Sequence, residues 1–75
     1  MHTLDIVLRD TADIQSFANL VNGYPFTISL RQGRAVTDAK SILGIYSLDL
    51  TRPVTVEVYS NQAGDLLEAL EKYSS

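Results

Sequence analysis

The sequence contains no cysteine, one histidine and two prolines. Without cysteine, neither disulfides nor thiolate metal sites can hold the chain together, a pattern compatible with a reducing cytoplasm. A single histidine, His2, cannot make a metal site alone, and no set of carboxylates has calcium-loop spacing. No metal and no cofactor are therefore expected. No apolar run approaches the length of a membrane span. The opening Met-His-Thr-Leu-Asp also lacks the basic and apolar regions of a signal peptide, so the chain reads as cytoplasmic, with no membrane partner. Clustered positive charge is missing too. Arg9, Arg31, Arg34, Lys40, Arg52 and Lys72 are scattered singly, and nine acidic residues against six basic ones leave a net charge of −3. Nucleic acid is not the expected partner.

What remains is an ordinary globular composition, 45% hydrophobic and 20% charged, spread over 75 residues. That length predicts one domain, residues 1–75, in which most apolar side chains are needed for the fold. Residues 3 to 8 alternate, with Leu4, Ile6 and Leu8 on one face, as in a half-buried strand. Asp10 or Thr11 then caps a helix carrying Asp13 in its first turn and Ile14, Phe17, Ala18 and Val21 at helical spacing. Asn22-Gly23 is expected to stop it through a left-handed residue. Phe26 to Leu30 reads as a second strand, Gln32-Gly33 as a tight turn, and Arg34 to Thr37 as a third strand, with Arg31 and Arg34 as solvated edge charges. Val54, Val56 and Val58 alternate along a fourth. Ser60 or Asn61 caps a last helix whose buried stripe is Leu66, Leu67, Leu70 and Tyr73, with Glu68 and Lys72 paired on its exposed side.

Between the third and fourth strands lies the most informative stretch. Ser41 offers a helix cap, and Ile42, Leu43, Ile45, Tyr46 and Leu48 follow within seven positions. A short helix buries one stripe against a sheet. Part of this apolar surface, Ile42, Leu43 and Tyr46, is therefore expected to stay in water unless a partner covers it.

The element order βαββαβα, with one apolar and one mostly polar face per strand, predicts an α+β fold. Its single four-stranded antiparallel sheet carries three helices on one face and water on the other. Element order alone leaves a ferredoxin-like sheet as a rival.

The segment Ala39-Lys40-Ser41-Ile42-Leu43-Gly44-Ile45-Tyr46-Ser47-Leu48 resembles the region around the regulatory serine of HPr. HPr is the histidine-containing phosphocarrier protein of the bacterial sugar phosphotransferase system. Pro53 to Val58 is similar to the valine-rich strand that follows in that family. Gly33 falls at its β-turn glycine and Phe17 at a core phenylalanine of its first helix. The resemblance implies an open-faced β-sandwich and a bacterial phosphocarrier-family protein rather than an enzyme. It also implies protein partners: an HPr kinase, a transcriptional regulator or components of the phosphotransferase system.

The chain departs from the family at one decisive place. A working HPr carries a histidine at the start of its first helix, then an arginine two residues on and a proline. Here that region is Arg9-Asp10-Thr11-Ala12-Asp13, in a shorter loop, and His2 lies before the first strand. Asp10 and Thr11 stand nearest the missing nucleophile, and the acidic Asp10 and Asp13 would repel a phosphoryl donor. Asp10 with Asp13 is better explained as a cap plus a first-turn acid than as an acid–base pair. No serine has a His/Asp set around it, and no glycine-rich phosphate cradle is present.

Ser41 matches the serine that an ATP-dependent kinase phosphorylates in Gram-positive relatives, and a class of catabolite-repression HPr-like proteins keeps that serine without the histidine. The expected function is a regulatory or protein-binding HPr relative without histidine phosphotransfer. Ser41 is its candidate phosphorylation site, and the helix beginning there, with the adjoining start of the first helix, is its partner surface. Two alternatives stay open: phosphotransfer through a relocated acceptor (Asp10, Thr11 or Ser41), and an oligomerising module, such as a homodimer, packed through the apolar helix. Ser41 is also a good N-cap whether or not any kinase acts on it.

Overall fold

A computed structural model describes residues 1–74. Its elements run β1 (His2–Ile6), α1 (Thr11–Asn22), β2 (Ile28–Gln32), β3 (Ala35–Asp38), α2 (Ile42–Tyr46), β4 (Val54–Val58) and α3 (Gly64–Leu70), with a 3-10 turn at Glu71–Tyr73. The strands form one antiparallel sheet in the order β1-β4-β2-β3. The first strand thus sits at an edge beside the last, which excludes the ferredoxin-like rival. The expected α+β architecture, four antiparallel strands in one sheet with three helices, is the one that forms.

Register explains the two faces of the sheet. Leu4, Val56 and Leu30 lie opposite one another across β1, β4 and β2, as do Ile6 with Val54 and Val58 with Ile28. All but the half-buried Leu4 are buried, and they share one core with Ile14, Phe17, Ala18 and Val21 of α1, Ile45 of α2, and Leu66 and Leu70 of α3. The period-two and helical spacings of the sequence are thus consumed by a single apolar layer. Residues 73 and 74 are tied to the first strand: Val7 N–H donates to the Tyr73 carbonyl at 2.7 Å, and Ile6 bridges Ser74. Tyr73 meets Phe17 edge to face with ring centroids 6.1 Å apart, and its hydroxyl bonds Ser16 Oγ.

Several local expectations are corrected. Gly23 ends α1 in the right-handed region, φ −79°, because its N–H already reaches back to the Leu20 and Val21 carbonyls. Strand β2 starts at Ile28, not Phe26, since its ladder with β4 begins at the Ile28–Val58 pair. Gln32 still pairs with Ala35, so the tight turn is Gly33-Arg34 and β3 is shifted one residue on. Gly33 takes φ +60° there, at the first of two loop residues, where glycine is favoured. Neither Ser60 nor Asn61 caps α3. Ser60 Oγ accepts from Gln62 N–H in a local turn, and the N-cap is Ala63, without a side-chain bond. Glu68 and Lys72 do not form an ion pair among the described residues. The chain tightens into the 3-10 turn at Glu71, which spoils four-residue spacing, and the Lys72 ammonium lies over the Tyr73 ring, 5.2 Å from its centroid.

Candidate functional site

The two candidate regions are separate. At the start of α1, Asp10 is the N-cap, with Oδ1 accepting from Asp13 N–H at 2.9 Å. Asp13 in turn accepts from Arg9 N–H at 3.0 Å, with the Arg9 guanidinium 4.0 Å from the same carboxylate. The two carboxylates therefore bind the chain's own amides, as capping groups do. Thr11 is the first residue of α1 and is exposed. The only histidine, His2, begins β1 and is exposed. No group of histidines and carboxylates that could hold a metal ion, and no pocket, occurs among the described residues.

The second region is built by the turn from β3 into α2. Ala39 is buried, its N–H donating to the Ile28 carbonyl at 2.9 Å. Asp38 then organises the next two residues: Oδ1 accepts from Lys40 N–H at 2.9 Å, and its carbonyl accepts from Ser41 N–H at 3.1 Å. Ser41 takes an extended conformation and accepts from Gly44 N–H at 3.1 Å, so it is the N-cap its position suggests. Lys40 ties this turn to α1. Its ammonium donates to the Tyr24 carbonyl at 2.5 Å, and its own carbonyl receives Asn22 Nδ2 at 3.4 Å. Helix α2 therefore starts beside the C-terminal end of α1. Asp10 caps the other end of that 12-residue helix, about 18 Å away. Asp10 and Ser41 do not make one site.

Within α2, Ile45 is the residue that turns fully inward, and Leu48 just after the helix is buried with it. Ile42 keeps 41%, Tyr46 50% and Leu43 80% of its surface exposed. The expected apolar face in water is present, on the helix that Ser41 caps. Apart from the Tyr46 phenol, the exposed side chains of this face, Ile42 and Leu43, are wholly apolar.

The open face of the sheet carries a feature that strand alternation misses. Glu57, on the nominally polar side of β4, is only 5% exposed. Arg31 of β2 covers it, Nε to Oε2 at 3.0 Å, and the Tyr59 hydroxyl lies 3.5 Å from the other oxygen. Arg31 is therefore a partner inside the sheet and not a free edge charge. Its guanidinium is raised further above its ordinary range by the hydrogen bond and then the charge of Glu57. Asp49, in the loop leaving α2, is held below the usual carboxylate range by hydrogen bonds from the Thr51 hydroxyl and backbone N–H and by the charge of Arg52.

Comparison with known proteins agrees with this frame. The sequence matches the family described as PTS HPr component phosphorylation site over residues 11–75. No curated protein matches the chain. Among solved structures, HPr-C-His from Thermoanaerobacter tengcongensis is similar with a TM-score of 0.81 at 19% identity, over 96% of this chain and 89% of that one. A phosphocarrier protein HPr from Bacillus anthracis is similar with a TM-score of 0.73 at 23% identity, over 99% of this chain and 94% of that one.

Proposed function

The chain belongs to the PTS HPr family, and from that premise we propose that it is a regulatory, protein-binding member of the family that no longer carries phosphate on a histidine. The single observation that carries this reading is the exposed apolar face of α2, Ile42, Leu43 and Tyr46, on the helix capped by Ser41. An exposed apolar patch beside a modifiable hydroxyl is the composition of a switchable docking surface. A phosphoryl group on Ser41 would add charge directly beside an uncharged contact face, altering which partner fits it. The start of α1 supports the same reading from the other side. Where a phosphoryl acceptor would stand, the chain has Asp10, Thr11 and Asp13, and the two carboxylates repel a phosphorylated donor while serving as caps.

The partners implied are proteins of a bacterial cytoplasm: an HPr kinase, a transcriptional regulator or a component of the phosphotransferase system. No cofactor, metal, nucleic acid or membrane enters the reading. Two labelling reactions test it. With phosphoenolpyruvate and the general phosphotransferase enzyme the chain should remain unlabelled. With ATP and an HPr kinase it should gain one phosphoryl group. Label arriving from phosphoenolpyruvate would instead establish a relocated acceptor and overturn the proposal.

A further inference from the structure

The chain has three asparagines, in Asn19-Leu20, Asn22-Gly23 and Asn61-Gln62, and glycine follows only the second. An asparagine side chain can be attacked by the peptide nitrogen of the next residue, and a missing Cβ leaves that nitrogen open to approach. The backbone does not demand this glycine. Gly23 has φ −79°, a conformation open to any residue, and a Cβ on it would meet only the Leu20 carbonyl oxygen, at 3.3 Å. Asn22 and Gly23 are both exposed, at the end of α1.

The same asparagine has a structural task. Its Nδ2 donates to the Ala18 carbonyl at 2.8 Å and to the Lys40 carbonyl at 3.4 Å. The Lys40 ammonium donates to the Tyr24 carbonyl at 2.5 Å. Among the described residues, these are the two side-chain links that join the end of α1 to the turn leading into Ser41. A carboxylate in place of the amide has no proton to donate, and it faces two carbonyl oxygens and the negative end of the helix. No basic residue stands in the last turn of α1 to offset that charge. Lys40 is the cation at hand, and swinging its ammonium onto the new carboxylate gives up the Tyr24 bond instead. Either way a link is lost.

We propose that Asn22 is a site of spontaneous deamidation, and that this change irreversibly loosens the Ser41 turn from α1. The Gly23 nitrogen loses its proton to hydroxide and bonds Asn22 Cγ, the Cγ–Nδ2 bond breaks, and ammonia leaves. Water then opens the five-membered imide at either carbonyl, leaving aspartate or isoaspartate at position 22. In sum, one amide and one water become one carboxylate and one ammonium, with no enzyme or oxidant. In the native turn the Gly23 N–H is engaged with the Leu20 carbonyl at 3.1 Å and the Asn22 amide with Ala18, so the reaction runs from the frayed last turn of α1. It does not require Ser41 to be modified.

Intact-mass analysis and peptide mapping of the folded chain, held at mildly alkaline pH and physiological temperature, test the site. The mass should rise by one dalton per chain, confined to the peptide containing Asn22, with a matching release of ammonia and with Asn19 and Asn61 intact. Conversion should be about tenfold slower than for the same chain in urea, the factor of a fraying turn, and not slower by the factor of about 10³ or more that whole-chain unfolding imposes. Gly23→Ala should keep the circular dichroism of the wild type and convert far more slowly. Asn22→Asp, standing in for the aspartate product, should show several-fold faster hydrogen exchange at the Ser41 and Gly44 amides, with the Val56 amide unchanged. A folded chain that keeps its mass over about ten of the half-times measured in urea overturns the proposal, as does a chain that converts in neither condition. Equal conversion at Asn19 or Asn61, a Gly23→Ala chain as fast as wild type, or unaltered exchange at Ser41 and Gly44 in Asn22→Asp overturns it equally. None of these results bears on labelling at Ser41, so the two proposals fail separately.

Discussion

Gly44 of α2 lies against the Thr37 side chain of β3 so closely that a Cβ at residue 44 would overlap Thr37 Oγ1. A glycine in the middle of a helix costs about 1 kcal/mol relative to alanine, so its presence here records a packing demand. This contact seats the five-residue α2 on the edge of the sheet. It thereby fixes where Ile42, Leu43 and Tyr46 stand.

Gly44→Ala should therefore destabilise the fold despite its better helix propensity. Overpacking costs about 1–3 kcal/mol against a gain of about 1 kcal/mol, for a net loss of about 1 kcal/mol. Adding Thr37→Ala removes the overlapping oxygen and should recover most of the loss. Urea denaturation of the two variants checks this; equal midpoints for wild type and Gly44→Ala would show that the contact is loose.

Ser41 has a structural role that can be separated from any regulatory one. Ser41→Ala removes the acceptor for Gly44 N–H and should cost about 1 kcal/mol, whereas Ser41→Asp keeps an acceptor and should cost little. Thermal melts of the three chains test the order wild type, then Asp, then Ala.

Arg31→Met strands the Glu57 carboxylate, which is 5% exposed, without its cationic partner. The variant should unfold at lower urea than wild type. Adding Glu57→Gln should raise the midpoint again, because a neutral amide is cheaper to leave unpaired than a charge. A double variant weaker than Arg31→Met alone would contradict this.

The loop after α2 carries a pH dependence of known sign. The Asp49 carboxylate is depressed by the Thr51 hydroxyl and N–H and by Arg52, so its contribution to stability is present above the ordinary carboxylate pKa, about 3.9. It is lost as pH falls through the lower folded value. Wild type should exceed Asp49→Asn in stability near neutral pH, and the gap should close as pH drops below about 4. Denaturation curves at several pH values read this directly; a gap that widens on acidification would refute the assignment.

The parts of this fold that could be read in advance rest on local periodicity. Val54, Val56 and Val58 announce a strand, Ile14, Phe17, Ala18 and Val21 a helix stripe, and Ser41 before Ile42 a cap. Local spacing is not enough where one side chain has two choices or depends on a distant one. Ser60 looks like a helix cap but spends its oxygen on Gln62 N–H. Glu57 reads as solvated until Arg31, on a neighbouring strand, covers it. The tether from Lys40 to Tyr24 and Asn22 joins residues 16 and 18 positions apart and leaves no spacing signal. The demand at Gly44 was marked by a glycine inside an apolar helix, a cue that points to close approach.

The central claim is that function has moved from the start of α1 to the helix that Ser41 begins. Intact-mass analysis after incubation with ATP and an HPr kinase, run on wild type and on Ser41→Ala, tests it most directly. The account predicts the added mass of one phosphoryl group on wild type, mapped to the peptide containing Ser41, and none on Ser41→Ala. An unshifted wild type, or a shift that persists in Ser41→Ala, would contradict it.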